Sequence, residues 1–239
     1  MKAPSVSRLL VIALALVAWV IPPASAAPNP ALKGKKLLYV GASTAEDKAL
    51  DEAPQRYLVS LGFTVRFADQ TEPGAVADDQ DVVVIGSTCQ SRVVMGKFRD
   101  TRAAVVLMES FVADDMGITG LRLGVDYGED QRNLPILLVN APHPMQAGLP
   151  NGMLCVHKTK TPSLHWGKAM NGATVIAVIA GEPDKAAIFG YEKGALMGDN
   201  FTAPARRVVL FVNTETFPLI NDKGLKLVEA SLAWAVGAL

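Results

Sequence analysis

Several polar, chemistry-bearing side chains in this 239-residue sequence stand directly after apolar runs. The run Asp81–Gly86 is followed by Ser87, Thr88 and Cys89, which offer two hydroxyls and a thiol. Ser87 or Cys89 could attack an acyl group only with a histidine within hydrogen-bond reach. The segment lacks the Gly-x-Ser-x-Gly turn of α/β-hydrolases. A polar loop that contacts a ligand without catalysis is therefore the simpler interpretation.

Glu109 ends the apolar run that begins at Val105. A carboxylate in that position either faces a ligand or must be paired. With Asp114 and Asp115 nearby it could bind a cation or act as an acid or base, and alternatively it fixes neighbouring loop amides. The two cysteines and three histidines show no spacing typical of zinc ligands, so we predict no metal site.

Three further segments carry candidate ligand contacts. Ser43, in Gly41-Ala-Ser-Thr44, could present a hydroxyl to an anion or a sugar, and alternatively Ser43 or Thr44 caps a helix. His143 stands between two prolines, which indicates a stiff binding edge or a rigid corner. His165 and Trp166 pair an imidazole with an indole, which suits a sugar ring, although packing of Trp166 is the structural alternative.

The elements that must position these residues alternate between strand and helix in the first half of the chain. Apolar runs predict strands over 36–41, 63–68, 81–86 and 103–108, and helices over 45–61 and 91–100. This order predicts a parallel sheet with right-handed crossovers. Ligands bind beyond the carboxyl ends of such strands. Ser43, Ser87 and Glu109, together with the His143 loop, are therefore the expected site.

The second half predicts short strands joined by turns, and thus an antiparallel extension of the sheet. These strands are expected at 121–125, 134–139, 153–157, 174–180, 186–191 and 207–212, and a closing helix at 221–236. No internal repeat or linker divides the chain. We predict a single domain over 36–239, preceded by a leader over 27–35.

The first 26 residues have the three parts of a signal peptide. Lys2 and Arg8 form a basic start, 9–21 is an uninterrupted apolar run, and Ala24-Ser25-Ala26 is a cleavage pattern. The apolar run is shorter than the roughly 20 residues of a membrane-spanning helix. We predict cleavage after about Ala26 and a secreted or periplasmic protein without membrane attachment. An uncleaved N-terminal anchor is the alternative.

The composition argues against nucleic acid as a partner. The chain has 23 basic and 23 acidic residues, and loss of Lys2 and Arg8 leaves 21 basic against 23 acidic. No basic stripe stands out, and few aromatic residues are available for base stacking. In an exported chain Cys89 and Cys155 could form a disulfide, and two separate buried thiols are the alternative.

Three stretches resemble the class I glutamine amidotransferase-like superfamily, within it the ThuA-like (trehalose-utilisation) branch. They are Lys36–Phe67, the segment Asn140-Ala-Pro-His-Pro-Met-Gln-Ala-Gly-Leu-Pro150, and residues 187–237. The resemblance implies a flavodoxin-like three-layer α/β sandwich with a mainly parallel sheet and an antiparallel extension. That superfamily carries its nucleophile in a Gly-x-Cys-x-Gly elbow. The corresponding run Val105–Val112 has neither the Cys nor the flanking glycines, and the His-x-Glu partner is absent.

These observations predict an exported, non-catalytic domain that binds a small polar ligand, a carbohydrate or a protein partner, without a cofactor. The expected ligand contacts are Ser43, Ser87, Thr88, Glu109, His143 and Trp166. One alternative is a secreted hydrolase that uses Ser87, Cys89 or Glu109 with His143 or His165. Another is a structural module that forms a homo-oligomer.

Overall fold

The computed structural model describes residues 29–132, 134–159 and 163–239. The predicted signal peptide and the first two residues of the leader lie outside this part of the chain. Within the described ranges, no helix has both the length and the apolar character that crossing a membrane requires.

A single mixed sheet of 11 strands organises the described residues. In chain order the strands are β1 Lys36–Gly41, β2 Thr64–Asp69, β3 Val82–Ile85, β4 Ala104–Leu107, β5 Tyr127–Asp130, β6 Ile136–Leu138, β7 Gly152–Leu154, β8 Leu164–Gly167, β9 Thr174–Ile179, β10 Glu182–Tyr191 and β11 Arg207–Leu210. The helices are α1 Ala45–Ser60, α2 Ser91–Val94 and α3 Asp222–Ala235.

The parallel half of the sheet has the order β2-β1-β3-β4-β11. Strands β3, β4 and β11 are buried along their whole length, as expected for strands covered on both faces. The antiparallel extension continues through β10, β9, β6 and β7, while β8 pairs with β10 and β5. This mixed architecture, with a parallel core and an antiparallel extension, confirms the predicted fold class.

Two apolar clusters cover the two faces of the sheet. On one face α1 packs against β1 and β2, and α3 packs against β4 and β11, with Leu58 and Leu227 in the core. The opposite face is covered by α2 and the irregular segment that follows it, through Phe98, Val112 and Met116. The second covering layer is therefore made mainly of turns rather than long helices.

Side-chain caps set the start of both long helices. The Thr44 hydroxyl accepts a hydrogen bond from the backbone N–H of Asp47 at 3.1 Å, ahead of α1. Asn221 caps α3 by accepting from the N–H groups of Lys223 and Gly224. Ser43 or Thr44 was the expected cap of the first helix, and Thr44 fills that role.

Three predicted elements are corrected. The strand expected over 207–212 in the antiparallel extension is β11, which pairs parallel with β4 in the core of the sheet. The helix expected over 91–100 ends at Val94, because Met95 adopts a φ of +47° that no helix continues through. The strand expected over 121–125 is wrong. Its alternating leucines and valine are exposed in a turn closed by the Arg122–Asp126 ion pair, and the strand forms at β5 instead.

The two cysteines are separate in the structure. Cys89 is buried, with its thiol directed at the Val40 carbonyl oxygen at 3.3 Å, whereas Cys155 is exposed. Both are free thiols, so the possible disulfide is not formed.

Candidate functional site

The carboxyl ends of β1, β3 and β4 meet at one edge of the sheet. Val40 pairs with Ile85, and Ile85 pairs with Leu107. Ser87 and Glu109 each follow two residues after this last pair, so their loops leave the sheet from adjacent strand ends. The sheet register thus brings together the loops that contain Ser43, Ser87, Thr88 and Glu109.

A buried carboxylate holds the first two of these loops. Asp51 of α1 is fully buried and accepts hydrogen bonds from the Tyr39 hydroxyl at 2.7 Å and the Thr88 hydroxyl at 2.8 Å. The Thr88 oxygen in turn accepts from the backbone N–H of Ala42 at 3.2 Å. Burial raises the pKa of Asp51 to about 6. Asp51 is therefore a structural anchor for the ligand-facing loops.

Ser87 forms two hydrogen bonds with the loop that follows β11. Its backbone N–H donates to the Thr214 hydroxyl at 3.0 Å, and the N–H of Thr214 donates to the Ser87 hydroxyl oxygen at 2.7 Å. This reciprocal pair leaves the Ser87 hydroxyl proton available to another acceptor. Ser43 is exposed, and its hydroxyl bonds to Asp69.

Glu109 is only 5% exposed, and one hydrogen bond fixes its carboxyl group. The backbone N–H of Phe111 donates to Oε1 at 2.7 Å. Burial raises the pKa of Glu109 to about 8, and the nearby Glu129 carboxylate adds to the rise. At neutral pH the group keeps its proton and can both donate and accept. Its backbone, at φ −112° and ψ 106°, is extended and does not form a nucleophile elbow.

The histidine of β8 lies beside this edge but is engaged by the backbone. His165 is 2% exposed, and its Nδ1 accepts from the N–H of Ser110 at 3.1 Å. Burial lowers the pKa of His165 to about 4, so the ring is neutral. Among the described residues, no hydrogen bond joins His165 to Ser87, Cys89 or Glu109.

Cys89 does not have the surroundings of a reactive thiol. Burial raises its pKa well above the ordinary range, and the carboxylates of Asp51 and Glu109 add to the effect. A thiol that stays protonated is a poor nucleophile. The described side chains at this edge therefore do not assemble a nucleophile with a general base.

The other two predicted contacts lie away from this edge. His143 packs on Trp234 with 5.8 Å between ring centroids, next to Arg206 at the amino end of β11. It is thus at the opposite end of the sheet from Glu109. Trp166 is 2% exposed within the core, with Lys185 Nζ 5.1 Å from its ring centroid. A buried indole offers no free face to a sugar ring.

Sequence reasoning missed Tyr39, Asp51 and Thr214. A signal existed for Asp51, because Asp51, Pro54 and Leu58 are spaced on one face of α1 and all three are buried. No local pattern marks Thr214, since its role depends on a contact with a distant loop.

Glycine at position 41 is required by this network. A Cβ at Gly41 would lie 2.2 Å from Asp51 Oδ2. We expect Gly41→Ala to destabilise the protein by about 1–3 kcal/mol through overpacking. Gly172→Ala is the matched control, because its nearest neighbour would be 3.3 Å away. Urea unfolding measures both, and equal stability of the two variants would contradict the tight packing at Asp51.

Comparison with known proteins bears on the fold alone. No protein-family model matches the chain, and no curated protein sequence gives a significant match. A putative GMP synthase subunit protein from Thermoplasma acidophilum superposes with a TM-score of 0.57 at 13% identity, covering 85% of this chain and 95% of that one. A putative ThuA-like protein from Bacteroides uniformis gives a TM-score of 0.54 at 12% identity, covering 90% and 95%. The chain therefore has a class I glutamine amidotransferase-like fold, as the resemblance of its three sequence segments predicted.

Proposed function

We propose that this chain is an exported domain that binds a neutral, hydroxyl-rich small molecule of the carbohydrate class, without catalysing a reaction on it. The site is the edge formed by Ser43, Ser87 and Glu109. The observation that carries the proposal is the Glu109 carboxyl group, which is buried at this edge and held by a single backbone hydrogen bond. Export rests on the signal-peptide pattern of the first 26 residues.

The charges at this edge favour a neutral ligand over an anion. Three carboxylates other than the protonated Glu109 lie near enough to Cys89 to raise the pKa of its thiol, those of Asp51, Asp69 and Asp47. These negative charges would repel a phosphate or carboxylate ligand. A neutral ligand would not be repelled.

The polar groups at the edge suit ligand hydroxyls. A protonated Glu109 offers one donor and one acceptor, and the Ser87 hydroxyl has a free proton to donate. The Ser43 hydroxyl donates to Asp69, so it can accept from a ligand. Sugar hydroxyls also donate and accept, so each can be matched. The ThuA-like neighbour supports this ligand class by analogy only, since one fold serves many functions.

Ligand titration at two pH values tests the proposal. We expect trehalose, maltose or glucose to bind the purified protein at pH 6.5 by calorimetry, and Glu109→Ala to weaken that binding by about tenfold or more, as expected for a lost buried hydrogen bond. Glu109→Gln retains a donor and an acceptor, so binding should persist. Above pH 8 the wild type should lose affinity as Glu109 ionises, whereas Glu109→Gln should not.

His143→Ala is the control, because His143 lies at the opposite end of the sheet. Its affinity should equal that of the wild type. The proposal fails if none of these sugars binds. It also fails if His143→Ala weakens binding while Glu109→Ala does not.

A further inference from the structure

An open groove runs along the free edge of the sheet, far from Glu109. Strand β2 is the outermost strand on its side. Between it and α1 lies a cleft of about 570 Å³, lined by Glu52, Gln55, Arg56, Val59, Ser60 and Val65. Val59 is 56% exposed at the centre of this surface. The helix face and the strand edge therefore form one continuous surface.

The backbone of β2 leaves hydrogen-bonding groups directed outward. Thr64 donates to the Lys35 carbonyl oxygen at 2.9 Å and Gln70 to that of Gly41 at 2.8 Å, so the even-numbered residues bond to β1. The alternate residues, Val65 and Phe67, then direct their N–H and C=O groups away from the sheet. The strand contains no proline or bulge that would block pairing.

We propose that a second copy of this chain pairs with this edge, with the two β2 strands antiparallel across a two-fold axis. Val65 of each copy then stands opposite Phe67 of the other, and each such pair exchanges both of its backbone hydrogen bonds. Arg66 lies near the axis on the opposite face of the sheet, where Glu72 of its own copy accepts from its guanidinium at 3.3 Å and offsets its charge. The interface is isologous, as in most homodimers.

Helix spacing agrees with this arrangement. Helix α1 packs against both β1 and β2. With strands about 4.8 Å apart, two α1 helices related by an axis beside β2 lie about 10 Å from each other, which is the packing distance of helices. The groove residues of each α1 would thus face the α1 of the other copy.

The charges on this helix face complement themselves. Glu52 and Arg56 form an exposed ion pair at 2.8 Å, one helical turn apart. In an antiparallel pair of helices, Arg56 of each copy comes within reach of Glu52 of the other. The same two side chains can therefore bridge the copies in both directions, which favours a second copy over an unrelated partner.

Charge exchange combined with sedimentation equilibrium tests the proposal. We expect the purified wild-type chain to sediment as a concentration-dependent dimer. Glu52→Arg alone and Arg56→Glu alone should each raise the dimer dissociation constant about tenfold or more, because like charges then face each other. An equimolar mixture of these two variants should form a heterodimer, since the opposite charges meet again.

The variant Val65→Pro tests the same interface independently of the charges. It removes an outward N–H and leaves the hydrogen bonds between β1 and β2 in place, so it should also weaken the dimer. Met153→Pro on the opposite edge strand β7 is its control and should leave the dimer intact. Circular dichroism verifies that each variant is folded. A wild type that stays monomeric at millimolar concentration overturns the proposal, as does a dimer that survives all three edge variants.

Discussion

Replacement of Arg207 by methionine is expected to lower the free energy of unfolding by about 3–5 kcal/mol. Arg207 is completely buried at the start of β11. Its guanidinium donates to five backbone carbonyl oxygens, those of Arg99, Thr101, Ala103, Ala205 and Arg206. Methionine matches the apolar stem of the side chain but removes the guanidinium donor from all five carbonyls. The Arg206 carbonyl keeps a second partner, the backbone N–H of Val105 at 3.1 Å.

The fork of the guanidinium, rather than its charge alone, makes these contacts. Nη1 donates to three carbonyl oxygens at 3.1 Å. Nη2 donates to the carbonyl oxygen of Thr101 at 2.8 Å and to that of Arg99 at 3.0 Å. Burial lowers the pKa of Arg207 to about 10. A lysine has one compact ammonium group and cannot reach both sets of carbonyls. Arg207→Lys should therefore recover only part of the lost stability.

Guanidinium chloride unfolding at pH 7 measures the three proteins. Arg102→Met is the matched control, because Arg102 is exposed and its replacement should change stability by less than about 0.5 kcal/mol. If Arg207→Met were as stable as Arg102→Met, the carbonyl contacts would contribute nothing.

The protein is expected to lose stability as the pH rises from 5 to 9, and Glu109→Gln should reduce this loss. The folded-state pKa of Glu109, about 8, lies above the ordinary value of 4.5, because burial disfavours the charged form. The folded state therefore binds a proton that the unfolded state has released. The stabilisation is complete below about pH 4.5 and disappears as the pH rises through 8, a change of about 2–4 kcal/mol.

Asp51 acts in the same direction over a lower range. Its pKa is raised from 3.8 to about 6, so its contribution is lost between those values. His165 acts in the opposite direction, because its lowered pKa of about 4 makes the fold less stable as acid protonates the unfolded chain. Between pH 7 and 9 the Glu109 contribution is therefore separated from both.

Urea unfolding at pH 5, 7 and 9 compares the wild type with Glu109→Gln and with Glu215→Gln, a change at an exposed carboxylate. The wild type and Glu215→Gln should lose stability in parallel above pH 7. Glu109→Gln should lose markedly less. If the free energy of unfolding of all three proteins changed in parallel with pH, burial of Glu109 would not raise its pKa.

The sequence was sufficient to predict β1 to β4 of the parallel half of the sheet and the edge at which their polar strand ends lie. It did not predict β11, which was expected in the antiparallel extension and instead pairs parallel with β4. Apolar runs such as 81–86 mark strands covered on both faces, and a polar residue directly after each run must lie at the carboxyl end. Ser87 and Glu109 follow adjacent strand ends for this reason. The antiparallel half was harder to predict, since an exposed turn at 121–125 has the same alternation as a half-buried strand.

By itself, the sequence determined the continuous apolar runs that form β1, β3 and β4 and the polar residues that end them, because such a run is read from consecutive residues. The tertiary structure alone decided which distant side chains meet there. Ser87 bonds to Thr214, 127 positions away, and His165 reaches Ser110 across 55 positions, while His143 is left at the other end of the sheet. Such contacts depend on strand order, register and loop path, which no short stretch of residues specifies.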